Sequence, residues 1–201
     1  DAHVHLLWHG LSLLEVQLAG ATSLEQALER IAEGARNLQP GQWLRGRGWD
    51  HNTWPGARRP SRHDLDRLLP TVPAMFDSKD GHSTWVNSAA LAQAGITSQT
   101  PDPPGGQVLR DAQDEPSGIL TENAQHLVEA AAPRPDAATW RRAATLALAD
   151  AARLGVTAVH NCEGPDSLGT LQQLEAEGAL TLRVWHLIAH SALDAALQVG
   201  L

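Results

Sequence analysis

Tyrosine is absent from this chain, and phenylalanine, cysteine and methionine occur once each. The single cysteine, Cys162, excludes an internal disulfide framework and is compatible with a reducing compartment. No stretch approaches the roughly 18 uninterrupted apolar residues that a membrane span requires. The chain opens on an acidic residue without a basic region, so no signal peptide is predicted and we expect a cytoplasmic location.

Positive charge is also scarce. The chain has 15 lysines and arginines against 23 aspartates and glutamates, which gives a formal net charge of −8. The one local basic cluster, Arg58-Arg59 with Arg62, is followed closely by Asp64 and Asp66. This balance argues against binding to nucleic acid or to an anionic membrane surface. We expect neither as a partner.

The residues that are present describe an ordinary globular protein. With 42% hydrophobic and 19% charged residues, the 201-residue chain can form one large domain or two small ones. It begins without an initiator methionine, which indicates a segment of a longer protein. Among the seven tryptophans, Trp49, Trp54 and Trp85 can line an apolar substrate wall or pack in the core, and packing is favoured.

Local patterns predict alternating helices and strands. Ser23 and Gln26 stand at capping-box spacing and predict a helix over 23–38, while Asp136 and Gly155 bracket a long helix. Glycines at 46 and 48 within the strand predicted at 42–50 indicate close packing. The other predicted helices and strands are at 62–69, 84–95, 122–132 and 167–178, and at 72–77, 107–110, 118–120, 156–161 and 181–189.

The order of these elements predicts the α/β class. After residue 136, buried strands alternate with helices, as in βαβ units of a parallel sheet. The middle of the chain is a mixed α+β region instead. We therefore divide the chain into 1–38 (first strand and helix), 39–135 (α+β insertion) and 136–201 (βαβ units).

The first five residues, Asp1-Ala2-His3-Val4-His5, hold the first candidate site. In an extended strand His3 and His5 project from the same face, roughly 7 Å apart, and can converge on one divalent metal ion. Asp1 can orient one of the two rings as an acceptor. The alternative is a polar edge strand or a leftover tag. His160, at a predicted strand end, can face the same site or be a capping or core histidine. His186 and His190, on the last predicted strand, are expected to alternate with core positions, and a metal-ligand role is the less favoured alternative for each.

Three more residues are candidates with structural alternatives. Asp80 and His82 can bind substrate, but Asp80 can equally cap a helix beginning near Ser83. Glu122 can act as an acid/base or lie near a metal, but it can also be a solvated residue in the first turn of a helix. A nucleophilic role for the only cysteine is not favoured, because no base partner can be placed beside it.

An ordered set of motifs resembles the third branch of the amidohydrolase superfamily, which includes N-substituted formamide deformylase. The set begins with Asp-x-His-x-His at the chain start. It continues with Trp43-Leu44-Arg45-Gly46-Arg47-Gly48-Trp49-Asp50, Asp80-Gly81-His82-Ser83-x-Trp85-Val86-Asn87-Ser88, Pro103-x-Gly105-Gly106, Ser117-Gly118-Ile119-Leu120-x-Glu122 and Gly155-Val156-Thr157-x-Val159-His160. The histidine motif alone is weak, whereas the ordered set spans essentially the whole chain.

The resemblance implies a (β/α)₈ TIM barrel with an insertion after its first strand, of which this chain holds part. It implies His3 and His5 as ligands of a divalent metal, with zinc expected, and hydrolysis of amide- or formamide-like carbon–nitrogen bonds in a small molecule. The family's bridging lysine or carboxylate, two further histidines and catalytic aspartate have no match here, so we expect the segment alone to be inactive. The alternative is a non-catalytic binding or assembly module, which forms a homodimer or pairs with a missing half because open sheet edges favour pairing.

Overall fold

A computed structural model of the chain describes residues 1–36, 38, 39 and 41–200. Asn37, Pro40 and Leu201, which fall within the predicted segments, lie outside the described residues. Within the described part, no helix combines the length and the apolar character that crossing a membrane requires.

The fold mixes helices and strands along the whole chain. The helices are α1 (Leu6–Ser12), α2 (Leu24–Ala35), α3 (Arg62–Asp66), α4 (Ser88–Gln93), α5 (Gln125–Glu129), α6 (Ala137–Arg153), α7 (Pro165–Ala176) and α8 (Leu193–Val199). The strands are β1 (Val16–Gln17), β2 (Leu44–Trp49), β3 (Ala74–Ser78), β4 (Ser83–Val86), β5 (Gly106–Arg110), β6 (Pro116–Glu122), β7 (Ala158–Asn161) and β8 (Arg183–His186). Short 3₁₀ turns lie at His51–Thr53, Pro55–Ala57 and His190–Ala192.

The chain forms two compact units. One, the terminal unit, combines Asp1–Leu14 with Pro135–Leu201, and the other, the central unit, is Glu15–Arg134. Each unit has its own strands and its own buried apolar residues. The functional division into first strand, insertion and βαβ units stays a prediction.

The central unit is built on a six-stranded sheet in the order β1-β2-β3-β4-β6-β5. The first three strands are parallel, and the remaining pairings are antiparallel, including the predicted hairpin of β5 and β6. A side chain on Gly46 would lie 2.6 Å from both the Phe76 ring and the Val16 carbonyl oxygen. This contact confirms the close packing predicted at that glycine.

Apolar side chains cover both faces of this sheet, because neighbouring residues of a strand point to opposite faces. Phe76 and Trp85 pair across β3 and β4 on the face that α2 and α3 cover. Met75 and Val86 pair on the other face, which α4 and α5 cover. The sheet is therefore the middle layer of a three-layer unit.

Three tryptophans belong to this interior. Trp49, Trp54 and Trp85 are 2%, 4% and 0% exposed. Each indole N–H donates to a backbone carbonyl oxygen, those of Phe76, Ala21 and Ser61. Burying an indole requires such a partner for its N–H. The prediction that these tryptophans pack, instead of lining a substrate wall, is confirmed.

The terminal unit contains the predicted βαβ arrangement. Strands β7 and β8 are parallel and are joined through α7. Helices α1, α6 and α7 pack on one face of this pair around Leu7, Ala147 and Val159. The predicted strand Asp1–His5 is reduced to one bridging residue, Val4, which pairs in parallel with Asn161. It is short because α1 begins at Leu6.

The helix ends follow the sequence signals. Ser23 accepts a hydrogen bond from the Gln26 N–H and begins α2, and Asp136 accepts one from the Thr139 N–H and begins α6. Beyond the end of α6, Gly155 adopts φ of +73°. This left-handed conformation is favourable for glycine but unfavourable for a residue with a side chain.

The helix predicted over 84–95 is wrong in its first part. Residues Ser83–Val86 form β4 between β3 and β6, and α4 begins only at Ser88. Threonine, tryptophan and valine suit a pleated, buried strand better than a helix. Asn87 then caps α4 by accepting the Ala90 N–H.

Candidate functional site

The histidine pair flanks Val4, the residue of the terminal unit that pairs with Asn161 of β7. The Val4 N–H donates to the His160 carbonyl oxygen at 3.0 Å, and Val4 accepts from the Cys162 N–H at 2.8 Å. These bonds fix the backbone between His3 and His5 beside β7. The pair is therefore held by main-chain hydrogen bonds on one side and by the start of α1 on the other.

The two imidazole rings lie close together. Their centroids are 5.4 Å apart with the planes at 77°, and the His5 ring also stacks on Trp8 at 5.0 Å and 20°. Asp1 does not hold either ring. Its carboxylate accepts a hydrogen bond from the His3 backbone N–H at 3.3 Å, so the orienting role predicted for Asp1 is wrong in this structure.

The pair fits a metal ion as two of its ligands. The Nδ1 atom of His5 is buried and, within the described part of the chain, has no hydrogen-bond partner. A buried polar atom without a partner costs roughly 1–3 kcal/mol, and neutral imidazole nitrogen is the commonest metal ligand in proteins. The residues that the structure describes contain no group of three or more His, Cys, Asp or Glu arranged for a metal. A metal here needs further ligands.

A third histidine shares the face of this pair. Val4 and Asn161 are paired and point to the helix side, so His3, His5 and His160, at the alternating positions, point to the opposite side. The His160 ring contacts Trp185 edge-on at 5.4 Å. His160 is exposed, which contradicts a place in the core.

The exposed tryptophans are not the ones that the sequence highlighted. Trp185 is 58% exposed beside His160, and Trp8, stacked on His5, is 57% exposed. Trp185 could have been noticed from the sequence, because it lies within the predicted strand next to His186. His186, next to it, is half-buried, whereas His190 lies beyond β8 in an exposed 3₁₀ turn.

The other predicted site residues come together in the central unit. Asp80 and His82 lie in the turn between β3 and β4, and Glu122 ends β6. The His82 Nδ1 atom lies 3.1 and 3.2 Å from the two Glu122 carboxylate oxygens. Asp80 accepts hydrogen bonds from the Ser78 hydroxyl at 2.5 Å and from the His82 backbone N–H at 3.0 Å. The structure thus brings three residues, which are up to 42 positions apart in the sequence, into one exposed group.

Asp80 lies in a turn and Glu122 is exposed, as the structural alternatives predicted, but the helix position in each alternative is wrong. Ser83 begins a strand, so Asp80 caps no helix there. Glu122 is the last residue of β6, with φ of +49°, and α5 begins three residues later. A residue with a side chain rarely adopts this left-handed conformation, and such strain concentrates at functional sites.

The charges in this group support one another. The hydrogen bond with Glu122, its negative charge and that of Asp80 raise the pKa of His82. The Ser78 hydroxyl and the His82 N–H lower the pKa of Asp80. The pKa of His82 is higher in the folded state than in the unfolded state. The stability that this ion pair contributes is therefore complete at a pH below the pKa of the unfolded state, and it is lost as the pH rises through the pKa of the folded state.

Two half-buried carboxyls in the central unit escaped the sequence reasoning. Burial raises the pKa of Asp77, against the opposing hydrogen bond from the Thr84 hydroxyl. Burial also raises the pKa of Glu15, whose carboxylate lies 3.6 Å from Arg47. Asp77 could have been noticed, since it follows the buried apolar residues of β3 directly. Carboxyls with such environments are candidates for proton transfer.

The pairing of His82 with Glu122 makes a testable prediction. The Glu122→Gln substitution removes the negative charge and is expected to return the pKa of His82 toward its usual value, as measured by an NMR titration of the imidazole. Glu129→Gln is the matched control, because Glu129 pairs with His126 instead, at 2.8 Å. An unchanged titration of His82 in Glu122→Gln would contradict the pairing.

A family model described as the amidohydrolase family matches residues 1–201. The chain belongs to the amidohydrolase family. Among curated relatives, putative amidohydrolase YtcJ of Bacillus subtilis (strain 168) is 36% identical over 200 residues, which are 96% of this amidohydrolase chain and 38% of the relative. N-substituted formamide deformylase of Arthrobacter pascens is 35% identical over 133 residues, which are 65% of the chain and 24% of that enzyme.

A solved structure has the same mixed α/β fold. An uncharacterized metal-dependent hydrolase from Pyrococcus horikoshii OT3 matches 100% of this chain with a TM-score of 0.74 and 25% identity. The match covers 38% of that protein. The chain therefore spans less than half the length of these relatives. The recognition of the family from its ordered motifs is confirmed.

Proposed function

We propose that this chain supplies two metal ligands, His3 and His5, to an amidohydrolase that cleaves carbon–nitrogen bonds of a small amide- or formamide-like substrate. The observation that carries the proposal is the close histidine pair with the buried, unpartnered Nδ1 atom of His5. The formamide substrate is suggested by the name of the deformylase relative and belongs to that enzyme.

The metal in this proposal is divalent, with zinc expected. A bound ion of this kind lowers the pKa of water and polarises a carbonyl group. The chain's own contribution is to hold the two imidazoles at a fixed separation, through the Val4 hydrogen bonds and the stack of His5 on Trp8. The "metal-dependent" description of the solved neighbour supports a metal.

We propose further that the terminal unit is part of a (β/α)₈ barrel and that residues 39–135 are an insertion after its first strand and helix. The parallel order of Val4, β7 and β8 supports the first idea, because consecutive barrel strands are parallel neighbours. The mainly antiparallel half of the central sheet supports the second. We place the protein in the cytoplasm, as the scarcity of cysteine suggests.

In the central unit we propose Asp80 and His82 as substrate-binding residues and Glu122 as an acid/base group. Their support is the exposed ion pair of His82 with Glu122 and the unusual φ of Glu122. The ring of His82 can donate a hydrogen bond to a carbonyl oxygen. The Glu122 carboxylate can take up or return a proton through that ring.

The partner we propose is the small-molecule substrate, with neither nucleic acid nor a membrane. For the chain alone we also propose a homodimer or pairing with a missing half. We propose that the chain alone is inactive, since no group of three or more metal-ligating residues occurs among those that the structure describes. The alternative of a non-catalytic binding module has less support, because the family match favours a hydrolase.

Metal content and activity of the intact protein test the proposal. We expect the purified protein to retain a divalent metal after dialysis and to hydrolyse members of an amide and formamide panel. His3→Ala and His5→Ala should each lose the metal and the activity, because each substitution removes one of the two metal ligands that this chain supplies. His63→Ala is the control, since His63 is an exposed histidine 3.7 Å from Asp66.

The outcomes separate the parts of the proposal. Full activity in His3→Ala would show that the metal role is wrong. Metal retention without hydrolysis of any amide would leave the ligands in place and contradict the substrate class. His82→Gln, in the same panel, should raise KM more than it lowers kcat if His82 binds substrate.

A further inference from the structure

A buried polar cluster lies at the end of β7, beside the histidine pair in the terminal unit. Its members Asn161, Glu163 and Ser167 are 0%, 8% and 3% exposed. Glutamate is almost never buried to this degree unless its carboxylate is fully paired. The cluster lies on the helix side of β7, away from the rings of His3 and His5.

The cluster binds the beginning of α1. Asn161 Oδ1 accepts the Leu6 N–H at 2.9 Å. Glu163 accepts the next two, with Oε2 from the Leu7 N–H at 3.1 Å and Oε1 from the Trp8 N–H at 2.7 Å. A helix normally receives such bonds from its own N-cap side chain, but the N-cap of α1 is His5, which provides none. Residues more than 150 positions away replace it.

The Glu163 carboxylate has further donors. Its Oε2 atom also accepts from the Ser167 hydroxyl at 2.6 Å and from the Asn161 side-chain amide at 3.0 Å. Four donors therefore satisfy one buried carboxylate, and both of its oxygens hold a backbone N–H of α1. Such a carboxylate is rigid, because moving it breaks several hydrogen bonds at once.

His5 lies between two fixed points. On its N-terminal side, Val4 is bonded to β7, and on its C-terminal side Glu163 holds Leu7 and Trp8. The ring of His5 stacks on the Trp8 ring. The backbone torsions that set where His5 points relative to His3 are thus constrained from both ends.

We propose that Glu163 is a positioning residue that fixes the mutual orientation of His3 and His5 and so sets their affinity for a divalent metal. The proposal rests on the metal role assigned to the pair under the proposed function. Glu163 itself does not touch the metal; it acts through the backbone of α1 and through Trp8.

A cobalt titration of the intact protein tests this role, because Co²⁺ reports its coordination in its visible absorption. In Glu163→Gln, the side chain has one acceptor oxygen and one amide group. Either orientation places amide N–H groups against a backbone N–H of α1. We expect about 10-fold weaker Co²⁺ binding, as is typical when a residue that orients a metal ligand is removed. We also expect a changed visible spectrum.

Ser167→Ala is the matched control from the same cluster. It removes one donor to Glu163 but keeps both bonds from Glu163 to α1. We expect a lower midpoint of urea unfolding with unchanged Co²⁺ affinity. If Glu163→Gln does not fold, Glu163→Asp replaces it. The shorter carboxylate keeps its charge and reaches only part of the α1 backbone, which should give intermediate affinity.

Each result decides the question. Wild-type Co²⁺ affinity and spectrum in folded Glu163→Gln would overturn the proposal while leaving the metal site intact. Equal weakening in Ser167→Ala would also overturn it, because the effect would then follow stability alone. If the wild-type protein binds no Co²⁺, or if His3→Ala binds it equally well, the proposed function fails and the positioning role fails with it.

Discussion

The Asn87→Ala substitution is expected to lower the free energy of unfolding of the central unit by about 4 kcal/mol. Asn87 is fully buried, and its Oδ1 atom accepts the Ala74 and Ala90 N–H groups at 3.0 Å each. Its amide group donates to the Leu69 and Val72 carbonyl oxygens at 2.7 and 2.8 Å. Alanine leaves all four backbone groups without these partners, and each buried unpaired group costs roughly 1–3 kcal/mol before relaxation.

Hydrogen exchange measures this effect within the unit. The amides of β3 should exchange faster in Asn87→Ala, and the midpoint of urea unfolding should fall. Asn87→Asp keeps the shape but replaces the donors by an oxygen, so it should be nearly as damaging. Asn123→Ala is the control. Asn123 is exposed and its side-chain amide donates to the Pro104 carbonyl oxygen at 2.8 Å, so we expect a loss of less than about 1 kcal/mol. Equal effects at the two asparagines would show that the four-bond connection is unimportant.

A side chain at position 10 is expected to disrupt the terminal unit. A Cβ on Gly10 would lie 2.0 Å from the Ala143 carbonyl oxygen and 2.5 Å from its carbonyl carbon. These are backbone atoms of α6, which cannot rotate away, so α1 and α6 must separate. We expect Gly10→Ala to lower the free energy of unfolding by about 3 kcal/mol, at the upper end of the usual cost of overpacking. Because α1 follows His5 directly, metal affinity should fall as well.

At a second helical glycine, substitution by alanine is expected to raise the stability instead of lowering it. Gly169 lies in α7, and a Cβ there would meet nothing within 4 Å. Gly169→Ala should therefore stabilise the protein by roughly 0.5–1 kcal/mol, the usual helix preference for alanine. Thermal unfolding of the two variants side by side measures the difference. A destabilised Gly169→Ala together with a neutral Gly10→Ala would contradict the packing of α1 on α6.

Much of the fold follows from local signals. The caps Ser23 and Asp136, the glycine after α6 and the turn residues between β5 and β6 act within a few positions, so their elements were predicted close to their observed bounds. The sequence of β4 predicts a helix because the strand is only four residues long, is buried without alternation, and lies one residue before α4. Such a short strand is fixed by its two neighbours in the sheet and not by its own sequence.

The candidate site was predictable only in part. His3 and His5 are two positions apart, so strand geometry alone suggests that they are close together. The contact of His82 with Glu122 needs the pairing of β4 with β6, which brings together two residues that are 40 positions apart in the sequence. Glu163 gave no signal at all, because its backbone partners lie near the other end of the chain.

The Asn161 side chain also connects the buried polar cluster to β8. Its Oδ1 atom accepts the Leu6 N–H, so its amide nitrogen faces Glu163 Oε2 and the Ser167 hydroxyl, at 3.0 Å each, and His186 Nδ1, at 3.2 Å. An amide nitrogen carries two hydrogen atoms, so three neighbours share two donors. A substitution at His186 therefore changes the share of these donors that reaches Glu163, although His186 lies on another strand.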